Sequence, residues 1–563
     1  MNGGWRSGRA VIASLTVLIV VVASLAFVPM ATVATGDAPG QSGSSAGDPD
    51  LDGIELPTGD PLENETGTTE VVVRLTPIDE PDAEGDAVVA KLRDHAAEER
   101  TTFESFADER SEVAVEREFW LANALLVTVD AEEVDVEALL AVTNVTAVHE
   151  NVEVETRVAT TTESSGSEAA GASGREVPNP VTAPVRTDHA WTDPVWTVSA
   201  QPTGEHTAGL ELIGAPDAWD RFGTRGAGAT VAVIDTGVDP NHQDVDLESW
   251  AEFDENGTLV SDRVADAHDP NGHGTHVAGT VTGGAATGTH IGVAPDASLY
   301  GMNAFGEDGT ATFASVLAAM QRGTADEDVD VLQMSLGADG TFNGFIAPVR
   351  NARAAGTIVV AAAGNSGHET SSAPANVHDA LAVGAVRNDR SVATFSAGET
   401  INKTAAFREA PEEWPQFYVV PDVTAPGVDV ISAEAGTTDG YLTRQGTSMA
   451  APHVAGTAAL AIAATEGRIE DDDLQAAIVD TARHPTDAAE PDERHGHGVV
   501  EAPAAIEAAQ EAAPAPTPTP GPTPTPVVDP ASNGDENVPG FGVVLALVAL
   551  GVASLAASRR SGR

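Results

Sequence analysis

Gly446-Thr447-Ser448-Met449-Ala450-Ala451-Pro452-His453-Val454-Ala455-Gly456 sets a serine where an irregular segment turns into a run of very small apolar residues. A helix that begins there presents unpaired backbone N–H groups and the positive end of its dipole, both of which favour anionic groups. A serine hydroxyl at that point is placed to attack a carbonyl, with its own N–H facing the oxyanion that forms. Small neighbours let the helix pack close to whatever lies beneath it. An isolated Gly-Thr-Ser before a helix is more often an ordinary N-cap. The catalytic reading therefore needs a base and an orienting acid elsewhere.

Three stretches supply them. Val231-Ala-Val-Ile-Asp235-Thr-Gly-Val-Asp239 puts an aspartate at the carboxyl end of an apolar strand, before a Thr-Gly turn. A part-buried carboxylate held by backbone donors suits the orienting of an imidazole, although turn-making is its usual alternative. Asn271-Gly-His273-Gly-Thr-His276-Val-Ala-Gly279 opens a small-residue helix on a histidine, which can act as general base in a cleft. His276 falls nearly one turn on and is read as a buried structural histidine. The glutamate that a His-Glu-x-x-His zinc site requires is missing. Val359-Val-Ala-Ala-Ala-Gly364-Asn365-Ser-Gly367 ends a buried strand in a turn that can aim the Asn365 amide at an oxyanion.

Taken in the order Asp235, His273, Asn365, Ser448, these motifs resemble the subtilisin-like serine peptidases, whose chain order Asp–His–Ser is well known. Gly292-Val-Ala-Pro295 and Val423-Thr-Ala-Pro-Gly427 strengthen the match, which spans residues 207–508. The resemblance implies a doubly wound, mostly parallel α/β sheet and a serine endopeptidase acting on proteins and peptides. It implies Ser448 as nucleophile, His273 as general base, Asp235 as its orienting acid and Asn365 as oxyanion donor. Ser335-Leu336-Gly337 and Ala362-Ala363-Gly364 match the segments that bind substrate backbone and line the pocket. No cofactor is required for the chemistry. Calcium is a candidate structural ion: Asp244 stands where the family places a ligand, but residues 283–290 lack the family's side-chain oxygen, and calcium takes six to eight oxygens.

Elsewhere the apolar runs alternate between strand-like and helical patterns. Strands are expected at 298–304, 329–335, 357–363, 380–386 and 428–432, and helices at 313–322, 346–355 and 447–464. Buried strands separated by helices imply a parallel sheet covered on both faces. Residues 398–419 are longer and more charged than the resemblance leads one to expect, and read as a surface insertion near the cleft. The stretch before the peptidase pattern reads as a strand over 70–75, a helix over 87–105, a strand over 124–129, a short helix over 134–142 and a last strand over 145–154. That order suits a small α+β ferredoxin-like module, and its position implies an inhibitory propeptide like those of the family.

The resulting organisation is a signal peptide over 1–34, a spacer over 35–65, a propeptide over 66–157 and a linker with the maturation site over 158–206. The peptidase domain follows over 207–510, then a Pro/Thr-rich stalk over 511–538 and a sorting or transmembrane segment over 539–563. Arg6 and Arg9 precede an apolar run over 10–28, which suits a secretory signal cleaved near Ala31 or Ala34; the alternative is a retained anchor. The last apolar run, over 542–557, is short for a membrane span. With Pro539-Gly540-Phe541 before it, it resembles archaeal sorting signals processed by a sortase-like enzyme that leaves a lipid anchor.

The formal net charge is −58, from 86 acidic against 28 basic residues, and Lys91 and Lys403 are the only lysines. That excludes a basic nucleic-acid-binding surface. It resembles proteins adapted to high salt, as in the halolysins. The absence of cysteine excludes disulfides and thiolate metal sites. The competing reading is a catalytically silent cell-surface binding or envelope protein of the same fold; retention of all four chemical residues argues against it.

Overall fold

The computed structural model describes residues 61–62, 65–78, 85–156, 198–306, 309–326, 329–485 and 491–515. The signal-peptide reading, nearly all of the spacer, residues 158–197 of the linker, and the stalk and C-terminal segment beyond residue 515 lie outside them. Among the described residues no helix is long and apolar enough to cross a membrane.

An eight-stranded sheet runs through residues 230–426. In spatial order its strands are Val423–Pro426, Leu381–Val386, Ile358–Ala362, Val331–Met334, Thr230–Asp235, Ser298–Asn303, Leu247–Phe253 and Leu259–Ser261. Every pairing is parallel except that of the last two strands. Strand side chains alternate between faces. On Thr230–Asp235, Val231 and Val233 accordingly join the core under helix Thr447–Ala464, while Ala232 and Ile234 join the core under helix Phe313–Thr324. The chain winds to one side of Thr230–Asp235 and then to the other. This makes a switch point, outside whose carboxyl ends such sheets bind ligands.

The strands expected at 298–304, 329–335, 357–363 and 380–386 are present, with no end trimmed by more than two residues, and helix Thr447–Ala464 matches at both ends. The 428–432 strand is real but lies elsewhere. It is Val430–Ala433, in a three-stranded sheet with Tyr441–Arg444 and Val198–Ala200. The strands Leu247–Phe253 and Val423–Pro426 were not expected. Residues 398–419 are more than a surface loop: Glu399–Asn402 pairs with Phe417–Val420, while Phe407 and Trp414 are buried in the main core. The segment is held together by one of the two lysines, since Lys403 Nζ donates to the carbonyls of Pro411, Glu412 and Trp414 at 2.7–2.9 Å.

Residues 68–150 form a four-stranded antiparallel sheet in the order Val113–Phe119, Ala124–Asp130, Thr68–Leu75, Val145–Glu150, a ferredoxin-like arrangement. Val113–Phe119 is an edge strand missing from the sequence-based expectation. Val71, Val73, Leu125 and Val127 face the module's own helices, whereas Val72 and Leu126 face outward and join the peptidase core. Polar contacts reinforce this docking: Asn351 Nδ2 donates to Leu121 O at 2.7 Å, Leu121 N–H to Gln321 Oε1 at 3.2 Å, and Arg74 to Glu409 at 2.6 Å.

The expected 145–154 strand is two strands. It breaks at Asn151-Val152, whose Oδ1 and carbonyl oxygen accept the Ala314 and Phe313 N–H groups at 3.0 and 2.8 Å. These are orphan donors of the helix that starts at Phe313. Glu153–Thr156 then leaves the module and enters a different sheet, between Ala311–Thr312 and Leu336–Asp339.

Candidate active site

Asp235 ends the central strand, fully buried, and its Oδ1 accepts the Thr236 N–H at 2.7 Å. Helix His273–Thr282 comes close enough for the His273 Nδ1–H to donate to the same Oδ1 at 2.7 Å. That approach needs Gly274, where a Cβ would collide with the Gly237 carbonyl oxygen. With Nδ1 protonated, Nε2 is the basic nitrogen; it is buried and has no partner among the described residues. His276, on the same helix, bonds the Val430 and Leu442 carbonyls at 3.2 and 3.3 Å. Burial holds its imidazole well below the ordinary value, hence neutral.

The loop before His273 is organised by Asp269, which sequence reasoning missed. Its carboxylate accepts from Thr236 Oγ1, from the Asn271, Gly272 and Thr275 N–H groups and from Thr275 Oγ1, at 2.6–3.2 Å. Burial pushes its carboxyl up despite these donors. The available signal was Asp269-Pro-Asn-Gly272, since aspartate ahead of Pro and Gly closes turns through its side chain.

Helix Thr447–Ala464 packs against His273–Thr282, and Ser448 lies buried in its first turn. Pro452 has no N–H, so the Ser448 carbonyl loses the helical bond it would otherwise receive. Ser335 replaces it: Ser335 Oγ donates to Ser448 O at 2.7 Å, and Ser448 Oγ donates back to Ser335 O at 3.0 Å. Thr447 fixes Asn365, its N–H and hydroxyl both donating to Asn365 Oδ1 at 2.9 and 3.0 Å. Asn365 Nδ2 is thereby turned away from Thr447, buried and without a partner among the described residues. Gly364, at φ +118°, holds a backbone conformation that side chains avoid, and a Cβ there would strike Ser372 Oγ. Nothing in the sequence around Asn365 pointed to Thr447.

Leu336 and Gly337 face Thr156 and Glu155 across an antiparallel register, while Ala362 and Ala363 are buried at the end of their own strand. A hydroxyl, a base buttressed by a carboxylate, an unpaired amide donor and an edge that grips extended backbone are what acyl transfer at a peptide bond requires.

The residues at the expected calcium position do not fit the ion. Asp244 Oδ1 accepts the Ala286 N–H at 2.5 Å and Oδ2 accepts the Tyr441 hydroxyl at 2.5 Å, so hydrogen-bond donors stand where a cation would. Burial and the Asp244 carboxylate push the Tyr441 phenol up to about 12, which keeps its proton in place.

Residues 226–498 match the Subtilase family. Over 252 residues the chain is 36% identical to subtilisin BL of Lederbergia lenta, covering 45% of this chain and 82% of that one. Subtilisin DY of Bacillus licheniformis is 37% identical over 257 residues, with the same shares covered. Alkaline elastase YaB of Bacillus sp. (strain YaB) is 36% identical over 252 residues, which is 58% of its length. The chain therefore belongs to the subtilase family of serine peptidases.

Proposed function

We propose that the chain is a secreted, surface-tethered, salt-adapted serine endopeptidase, made as a precursor whose residues 66–157 close its cleft. The observation that carries this reading is strand Glu153–Thr156. It lies antiparallel between Ala311–Thr312 and Leu336–Asp339, as the backbone of a peptide substrate would, beside the segment that bonds Ser448.

In this mechanism the Ser448 hydroxyl turns from the Ser335 carbonyl towards His273 Nε2, gives up its proton there and attacks the peptide carbonyl. Asp235 stabilises the imidazolium. The oxyanion accepts from Asn365 Nδ2–H and the Ser448 N–H. Collapse expels the amine, which takes the proton from His273, and a water molecule repeats the sequence on the acyl-enzyme. Asn365→Ala is expected to lower kcat by about 10²–10³-fold with KM little changed, because its amide binds charge present only in the transition state. An equal rise in KM with kcat intact would assign Asn365 to substrate binding instead.

Thr156, the last described residue of that strand, faces Leu336, the neighbour of the Ser335 whose carbonyl accepts from Ser448 Oγ. Self-processing is therefore expected at the Arg157–Val158 bond, leaving Val158 as a new N-terminus detectable by N-terminal sequencing. A first cut elsewhere would remove the support that this register gives.

Docking of the segment is expected to weaken in acid. His149 is buried between Phe313 and Phe342, and its imidazole is pushed down to about 3, chiefly by burial and further by the charge of Arg74. Released, the ring returns towards its ordinary value of 6.5. The released form thus binds more protons, so docking is at full strength above pH 6.5 and is lost as pH falls towards 3. The inhibition constant should rise by up to about tenfold per pH unit in that window, and His149→Phe should flatten the profile. An unchanged slope in that variant would place the pH dependence in other groups.

The location rests on sequence features: the leader over 1–34, the stalk and the Pro-Gly-Phe segment that a sortase-like enzyme would exchange for a lipid anchor. Halolysin-like salt adaptation rests on the net charge of −58. It is tested by comparing activity in molar and in dilute salt.

A further inference from the structure

We infer that His484, Asp492 and His495 form a zinc site, flanking the Glu493 that bonds His368. The three residues lie in sequence between helix Asp471–Asp480 and helix Ala502–Ala512, and one ligand atom from each lies within 4.8 Å of the others. His484 Nε2 is 3.1 Å from Asp492 Oδ2, and His495 Nδ1 is 3.8 Å from Asp492 Oδ1. Zinc bonds of about 2.0–2.1 Å in a tetrahedron put ligand atoms about 3.3 Å apart, so small adjustments would seat the ion.

The hydrogen bonds around the cluster leave the right atoms facing inward. Asp492 closes a tight turn, accepting the Arg494 and His495 N–H groups on Oδ1 at 2.9 and 2.7 Å, which leaves Oδ2 directed at His484. His495 Nε2 lies 3.4 Å from the Arg390 carbonyl, which can only accept. That contact sets the tautomer with the proton on Nε2. Nδ1 then carries a lone pair that faces the Asp492 carboxylate, and it is buried without a hydrogen-bond partner among the described residues. A lone pair turned towards a carboxylate oxygen with no proton between them calls for a cation. A backbone carbonyl on the far nitrogen is also how metal-binding histidines are usually held. The His484 side chain is 1% exposed and the His495 side chain 14%, so the pair is sheltered from bulk water.

Two imidazoles and one carboxylate select zinc over calcium, which takes oxygen ligands alone. A water molecule would complete four-coordination. The ion would be structural. The neighbouring Glu493 bonds His368 Nε2 at 2.9 Å and Thr400 Oγ1 at 2.7 Å, and His368 stands three residues beyond Asn365. Zinc would therefore fasten Asp492 and His495 to His484 and, through Glu493, brace the loop that presents the oxyanion donor.

The test uses full-length Ser448→Ala protein, which cannot cut itself, in high salt after treatment with a chelator. The proposal expects one equivalent of zinc to be retained after desalting and the melting temperature to rise by about 5 °C with excess zinc sulfate. Both effects should be lost when His495→Gln or His484→Gln is added. Cobalt should give the visible absorption of a four-coordinate site in the parent and not in either variant. If one variant fails to fold, the other and the cobalt spectrum decide. No retained zinc in the folded parent, or equal retention in a folded histidine variant, would overturn the proposal.

Discussion

Ser448→Ala is expected to lower kcat towards a peptide substrate by on the order of 10⁶-fold, the scale known for loss of the nucleophile in subtilisin. The fold should be unaffected. Ser448 lies on a helix whose burial depends on its small apolar residues, and among the described residues its hydroxyl makes one hydrogen bond, to the Ser335 carbonyl. That carbonyl lies beside the cleft strand and loses one neutral donor, a modest cost of about 1 kcal/mol. Far-UV circular dichroism and thermal melting should therefore match the parent, whereas the cut at Arg157–Val158 should not occur. Loss of activity together with loss of fold would point to a structural role for the hydroxyl.

Asp235→Asn is expected to lower kcat by about 10⁴-fold. The asparagine has nearly the same shape, but its amide can meet His273 Nδ1 with an N–H. That stabilises the tautomer whose proton sits on Nε2, where the base must be free. It also removes the negative charge that stabilises the imidazolium. Because both the carboxylate and the imidazole are fully buried, water cannot stand in for that charge. The measurement is kcat on a chromogenic peptide, with the rate of fluorophosphonate labelling as a second reading that should fall in parallel. A loss of tenfold or less would mean that His273 needs no orienting acid.

The parts legible in the sequence were those in which local chemistry and tertiary role coincide. Helix Thr447–Ala464 could be bounded at both ends because its residues are almost uniformly small and apolar and its start is marked by Gly446. The central strands were legible because burial on both faces leaves continuous apolar runs. Leu247–Phe253 was not, since its polar residues Glu248, Ser249 and Glu252 interrupt the run near the sheet edge. Val113–Phe119, Val-Ala-Val-Glu-Arg-Glu-Phe, was hidden in the same way.

Other features depend on partners remote in sequence. The break at Asn151 exists to cap a helix 163 residues further on. The orientation of Asn365 depends on Thr447, 82 residues away. Asp244 sits where the resemblance implied a calcium ligand, yet Tyr441, 197 residues on, supplies the donor that takes the ion's place. The cluster of His484, Asp492 and His495 follows no metal-binding spacing and becomes visible only in three dimensions.

The most direct measurement is fluorophosphonate labelling of the full-length chain in high salt, followed over time beside Ser448→Ala, with the size and N-terminus of each product determined. Label confined to Ser448, appearing as residues up to 157 are removed and absent from a folded Ser448→Ala protein, is the result predicted. A folded chain that takes no label after the segment is removed would contradict it, and would make the protein a silent member of its family.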